Sequence, residues 1–214
     1  MTRLAQTCST ISRGTLLSAL VLSGVACGGG AAAPPGSAGA TAPVGGGAGG
    51  AAGVPTSATA WQLRSSGFES GGTLPKDYTC DGGEKSPHLV WDPAPPRSQS
   101  IALIFHDPDA PGGDFTHWIV FNMAQTQRGL DVGVSAPTGS RLTSGALEGK
   151  NDFGKQGYGG PCPPRGPAHR YVVDLYALDQ KLTLEAGATK AQLQQAMSGH
   201  MVAQAQLTGR YSRA

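Results

Sequence analysis

Ser100-Ile101-Ala102-Leu103-Ile104-Phe105 is the stretch on which the fold turns. It is short, continuously apolar and bounded by turn-forming residues, which reads as a buried strand. Downstream, Thr116-His117-Trp118-Ile119-Val120-Phe121 is β-branched and aromatic, a second strand. His169-Arg170-Tyr171-Val172-Val173-Asp174-Leu175-Tyr176-Ala177-Leu178 reads as a third, longer one. Shorter strands are expected at 61–65, 89–91 and 203–211. In the last of these, Ala203, Ala205 and Leu207 alternate with Gln204 and Gln206, as on a half-buried strand. One helix stands out: Thr189 caps it, and Leu193, Ala196, Met197 and His200 follow at helical spacing. His200 is placed on that helix near its C-terminus, where the dipole favours it, with no part in chemistry. Many strands, one late helix and long Gly/Pro loops describe a mainly β protein, a β-sandwich with one or two peripheral helices.

Composition agrees. Gly contributes 33 and Pro 16 of the 214 residues, and charged residues only 14%, which argues against a coiled coil or helical bundle. A net charge of +2 without a clustered basic face gives no footprint for nucleic acid. No apolar run is long enough to span a bilayer as a mature helix. The charges are unevenly placed. Residues 28–60 hold 11 Gly, 11 Ala and 4 Pro with no charge and no aromatic ring, too little to bury against the cost of ordering. Residues 61–214 carry all 14 acids and 14 of the 16 Lys and Arg, and are long enough for a proper core.

The N-terminus accounts for that tether. Arg3 and Arg13 precede the apolar stretch from Leu16 to Leu22, and small residues lead to Cys27. This is the pattern of a secretory signal peptide. A Cys directly after the small residues, followed by a charge-free tether, favours a bacterial lipoprotein acylated at Cys27 over ordinary cleavage and release. Gly24 stands where such signals usually carry Leu. The expected organisation is a signal peptide at 1–26, a Gly/Ala/Pro tether at 27–60 and one domain at 61–214. The domain would be exported and anchored in the cell envelope. Cys8 falls within the signal. Cys80 and Cys162 remain, with no C-x-x-C to suggest a zinc site, and the sequence leaves open a disulfide or two buried thiols.

Three segments carry chemistry. Asp107-Pro108-Asp109-Ala110-Pro111 leaves a buried strand, and its prolines hold two carboxylates at the strand end. Taken alone it is a polar turn. His117 lies inside an apolar strand, where a lone His is usually a core residue with one satisfied nitrogen. Lys150 to Pro164 is a Gly/Pro-rich loop running on to His169-Arg170-Tyr171. Its amides suit an anion, but it is no nucleotide P-loop, for no Gly-Lys-Ser/Thr ends it.

Together these segments say more. The domain resembles the phosphatidylethanolamine-binding protein family, which includes the Raf kinase inhibitor protein, and is most similar to its bacterial and archaeal Raf-kinase-inhibitor-like subfamily. Tyr78-Thr79-Cys80-Asp81-Gly82, Ser86-Pro87, Asp107-Pro108-Asp109-Ala110-Pro111, His117-Trp118, Lys150 through Pro164 and His169-Arg170-Tyr171 carry the resemblance, in family order. Gly166 sits one residue further from His169 than the family's Gly-x-His-Arg has it. The resemblance implies an antiparallel Greek-key β-sandwich. It also implies a small anion pocket formed by Asp107, Asp109, His117, Gly160, Pro161, His169 and Tyr171, which takes phosphate-bearing small molecules or lipid head groups without cofactor or metal. An Asp that accepts from one imidazole nitrogen would aim the other at the ligand, or would accept from the ammonium of an ethanolamine head group.

Two classes of function follow. The first is a non-enzymatic binding module. The second is a hydrolase using His117 and His169 with Asp107 or Asp109. No Gly-x-Ser-x-Gly elbow or His-Glu-x-x-His is present, and Cys162 is the only candidate nucleophile. A surface that inhibits a protease or other protein partner is a third reading, with no sequence feature that tests it.

Overall fold

The computed structural model describes residues 60–135 and 142–213. The signal peptide, Cys27 and all of the tether but Ala60 lie outside the described residues.

Among the described residues, eight strands form two antiparallel sheets. They are β1 (Leu63–Arg64), β2 (Leu89–Trp91), β3 (Ser100–Asp107), β4 (Phe115–Ala124), β5 (Gly129–Leu130), β6 (Leu147–Glu148), β7 (His169–Leu178) and β8 (Met201–Tyr211). The small sheet has the order β1-β2-β5 and the large one β6-β4-β3-β7-β8. The chain leaves the large sheet after β4, adds β5 to the small one, and returns with β6. The expected strands at 89–91 and 169–178 appear with those bounds, and the others shift by a few residues. β5 and β6 were not anticipated, because two residues carry no readable alternation.

The large sheet is covered on both faces. Toward the small sheet, Ile101, Leu103 and Phe105 of β3 and Tyr171, Val173 and Leu175 of β7 pack with Leu63, Leu89, Trp91 and Leu130. On the other face Ala102, Ile104, Ile119 and Phe121 meet Leu182, Ala188, Leu193 and Met197, from the 182–188 segment and helix α1 (Lys190–Met197). Burial on both faces explains why β3 and β4 read as unbroken apolar runs. Only one face of β8 is buried, through Ala205, Leu207 and Tyr211, so its alternation survives.

Thr189 caps α1 as expected: its hydroxyl accepts from Gln192 N, and the Gln192 side chain accepts from Thr189 N. The helix stops at Met197, however. Gly199 adopts a positive φ of 81°, and His200 lies in the turn beyond, its Nδ1 3.0 Å from Asp179 Oδ1. His200 is therefore a turn residue and not part of the helix. Periodicity runs past a helix end when the next apolar residues belong to the following turn.

Cys80 and Cys162 are joined by a disulfide, with Cα atoms 5.4 Å apart. It ties the segment after the 3-10 turn Lys76–Tyr78 to the loop that precedes β7. Closing 82 residues of chain is worth about 4–5 kcal/mol in the chain-entropy account.

Candidate functional site

At one end of the large sheet lies a cavity of about 350 Å³. Asp107 ends β3, and His169 and Tyr171 begin β7. All three lie on the face that points toward the small sheet, so strand alternation brings them together. His117 arrives differently. By parity it belongs with Ile119 and Phe121 on the helix face. The register between β3 and β4 slips there, from Phe105↔Trp118 to His106↔Thr116. His117 is the extra residue of a β-bulge, which turns it inward against Phe105 and Tyr171.

Each imidazole has one nitrogen engaged. His117 Nδ1 is 2.7 Å from the carbonyl oxygen of Gly159, and since a carbonyl only accepts, Nδ1 carries the proton. Gly159 N donates back to His117 O at 2.9 Å. A Cβ on Gly159 would fall 2.4 Å from the Phe153 ring, so a larger residue there would displace that ring. His169 Nδ1 donates to Asp107 Oδ2 at 2.8 Å, with both side chains nearly buried. Nε2 of each ring has no partner among the described residues. The Tyr171 hydroxyl is fully buried beside the Asp107 carboxylate and makes no hydrogen bond of normal geometry.

The electrostatics follow from these surroundings. Burial pushes His117 below the usual imidazole range, against the Gly159 bond and the Asp107 charge. Burial, then the Asp107 charge, keeps the Tyr171 phenol protonated far above its usual range. Among the described residues, no Lys or Arg lines the cavity.

Of the seven expected residues, four line the cavity: Asp107, His117, His169 and Tyr171. Asp109 does not. It takes Arg170 in a two-pronged pair, Nε to Oδ2 at 2.9 Å and Nη2 to Oδ1 at 2.7 Å, and accepts from Arg170 N. Those hydrogen bonds hold its carboxyl well below the usual range, so Asp109 braces the start of β7 from outside. Gly160 and Pro161 also stand behind the wall. Pro161 O accepts from Cys80 N at 3.1 Å, and Gly160 packs on the backbone of residues 78–80. The structure adds a rim that was not among the expected site residues: Pro111, Phe153, Pro163 and Pro164, from the segments already singled out, and Phe115. Phe153 is 44% exposed. A large aromatic in a Gly-rich loop was the available signal, since such a residue has no core to enter. Gly166, with a φ of 143°, makes the turn before His169. Among the described residues no three His, Cys, Asp or Glu side chains group to hold a metal ion.

A two-sheet β-sandwich with a partly apolar cavity at one sheet end is a ligand-binding fold. The sequence profile described as phosphatidylethanolamine-binding protein matches residues 64–212, and the chain belongs to that family. The UPF0098 protein of Methanothermobacter thermautotrophicus is 47% identical over 151 residues, which cover 71% of this chain and 98% of that one. The UPF0098 protein of Aquifex aeolicus is 44% identical over 155 residues, 71% of this chain and 88% of that one. Two crystal structures share the fold. The putative phosphatidylethanolamine-binding protein homologue CT736 of Chlamydia trachomatis has a TM-score of 0.65 at 39% identity, covering 72% of this chain and 99% of that one. YbcL of E. coli, described as a new member of the mammalian family, has a TM-score of 0.68 at 33% identity with the same coverage.

Proposed function

We propose that the domain is a non-enzymatic module that binds a phosphate-bearing small molecule or phospholipid head group in the cavity lined by His117, His169 and Tyr171. One observation carries this reading: a buried Tyr171 hydroxyl, without a hydrogen bond of normal geometry, beside two imidazoles, each with an unengaged nitrogen. An orphaned buried hydroxyl costs about 1–3 kcal/mol, which an accepting phosphate oxygen would recover. An imidazole that takes up a second proton adds a charge-assisted donor at Nε2, and at His117 the charge of a bound phosphate would offset the burial that opposes it. Asp107 fixes the His169 ring and is placed to accept from an ammonium on the same ligand. Cys162 is bonded to Cys80, which removes the one candidate nucleophile and favours binding over hydrolysis.

Tyr171→Phe tests this directly. Calorimetric titration with phosphoethanolamine should show affinity lower by about fivefold or more, while thermal stability holds or rises. Equal affinity in wild type and variant would remove the hydroxyl, and with it the main support. The same proposal places the domain outside the cytoplasm, held to a membrane by acylated Cys27. Cys27→Ser should then move the protein to the soluble fraction, and unchanged membrane partition would defeat the anchor.

A further inference from the structure

His106 precedes Asp107 on β3 and faces the opposite way, toward the helix layer. Both of its ring nitrogens meet carboxylates: Nδ1 is 2.5 Å from Asp114 Oδ1, and Nε2 is 3.0 Å from Asp174 Oδ2. Ionised carboxylates only accept, so the ring holds two protons. Asp174 is buried, and its other oxygen accepts from the side-chain amides of Gln204 and Gln206 at 3.1 and 2.9 Å. The Asp114 side chain is 45% exposed, and it also pairs with the ammonium of Lys190, the first residue of α1.

Asp114 lies in the connection between β3 and β4. Ala110, Pro111 and Gly112 of that same connection line the cavity, with Phe115 at the start of β4. Gly112 and Gly113 bring no side chain to hold it, and a Cβ on either would touch nothing within 4 Å. The Asp114 side chain is thus the tie between this wall and the helix layer.

We propose that His106, Asp114 and Lys190 form a latch that sets the position of the 110–115 cavity wall, and that loss of the second His106 proton loosens it. A neutral imidazole has one acceptor nitrogen, which cannot face a carboxylate. Asp174 is buried and fixed by two amides, so the remaining proton stays with it. Asp114, which water can solvate, lets go, and Lys190 alone retains it. The charged and titratable groups around the ring are Asp114 from the connection, Asp174 from β7 with Tyr176 beside it, Lys190 from α1 and His117 across on β4. β8 contributes only the neutral Gln204 and Gln206. Burial works against the charged ring, but the bonds to Asp174 and Asp114 outweigh it, and His106 titrates above the ordinary imidazole range. The latch is therefore set below the raised His106 midpoint and released as pH passes above it.

The consequence for a ligand rests on the cavity reading above, whereas the latch does not, so the test uses the free protein. Imidazole NMR signals follow the His106 titration. Gly113 N donates to Ala110 O at 2.9 Å, and the protection of that amide against hydrogen exchange, normalised to an unstructured peptide at each pH, reports the wall. Protection should fall roughly two- to fivefold as pH passes the His106 midpoint. His106→Gln should show low protection at every pH. Asp114→Asn changes an exposed side chain, and should likewise show low, flat protection while His106 still titrates. Constant wild-type protection through the His106 titration, or an unaltered profile in Asp114→Asn, would overturn the latch. A second arm titrates phosphoethanolamine into wild type. Absence of binding at every pH would defeat the cavity reading and leave the exchange result standing on its own.

Discussion

Adjacent residues of β3 serve imidazoles in opposite ways. On the inner face, Asp107 takes one nitrogen of His169 and leaves the other to the cavity. On the outer face, Asp174 and Asp114 take both nitrogens of His106 and leave nothing to a ligand. Residue types and distances are similar, and what differs is the number of carboxylates within reach. One carboxylate orients a ring for use, while two hold it charged and occupied. His117 is a third case, with a carbonyl as its partner and burial as the stronger influence, so its ring is driven toward the neutral form.

The largest test of this contrast is the disulfide, which belongs to the cavity side, since Cys162 lines the cavity. Replacing Cys80 and Cys162 together with Ala should lower the unfolding free energy by about 2–5 kcal/mol in urea titration. The His106 NMR signals should stay unchanged. A disturbed His106 would show that the two faces are not independent.

A smaller effect is expected from His117→Ala. It removes one charge-assisted donor of about 1.5–3 kcal/mol, or roughly tenfold to a hundredfold in phosphoethanolamine affinity. Because burial lowers the His117 pKa, its charged form gains population only below about pH 6.5. The gap between wild type and variant should widen as pH falls. The second ionisation of the phosphate near ~6 opposes this at the acid end and gives an optimum. Equal affinities throughout would take His117 out of the site.

The smallest expected effect is also the most discriminating, because the two rings have opposite linkage signs. The folded-state pKa of His106 is raised, so its stabilising contribution is complete below about pH 6.5 and is lost as pH rises through the folded value. The folded-state pKa of His117 is depressed, so its contribution is present above about pH 6.5 and is lost as pH falls through the folded value. Urea midpoints across pH should flatten on the alkaline side in His106→Gln and on the acid side in His117→Asn. Flattening on the same side in both would break the contrast.

By itself the sequence determined the strands at 100–105 and 169–178, the capped helix and the family, and its seven expected site residues include the four that line the cavity. These rest on local alternation, capping chemistry and motif order, all written along the chain. It did not separate Asp109 from Asp107, two residues apart in the same turn, because only the approach of Arg170 draws one outward. It placed His200 on the helix, since spacing alone does not mark where hydrogen bonding stops. It left Cys80 and Cys162 undecided, because whether 82 residues of chain bring two Cα atoms to 5.4 Å is a matter of packing. The inward turn of His117 and the double pairing of His106 were equally out of reach. Both depend on the register between strands and on partners 42 and 68 residues away, and pairing at that range is decided by the assembled sheet and not by any local pattern.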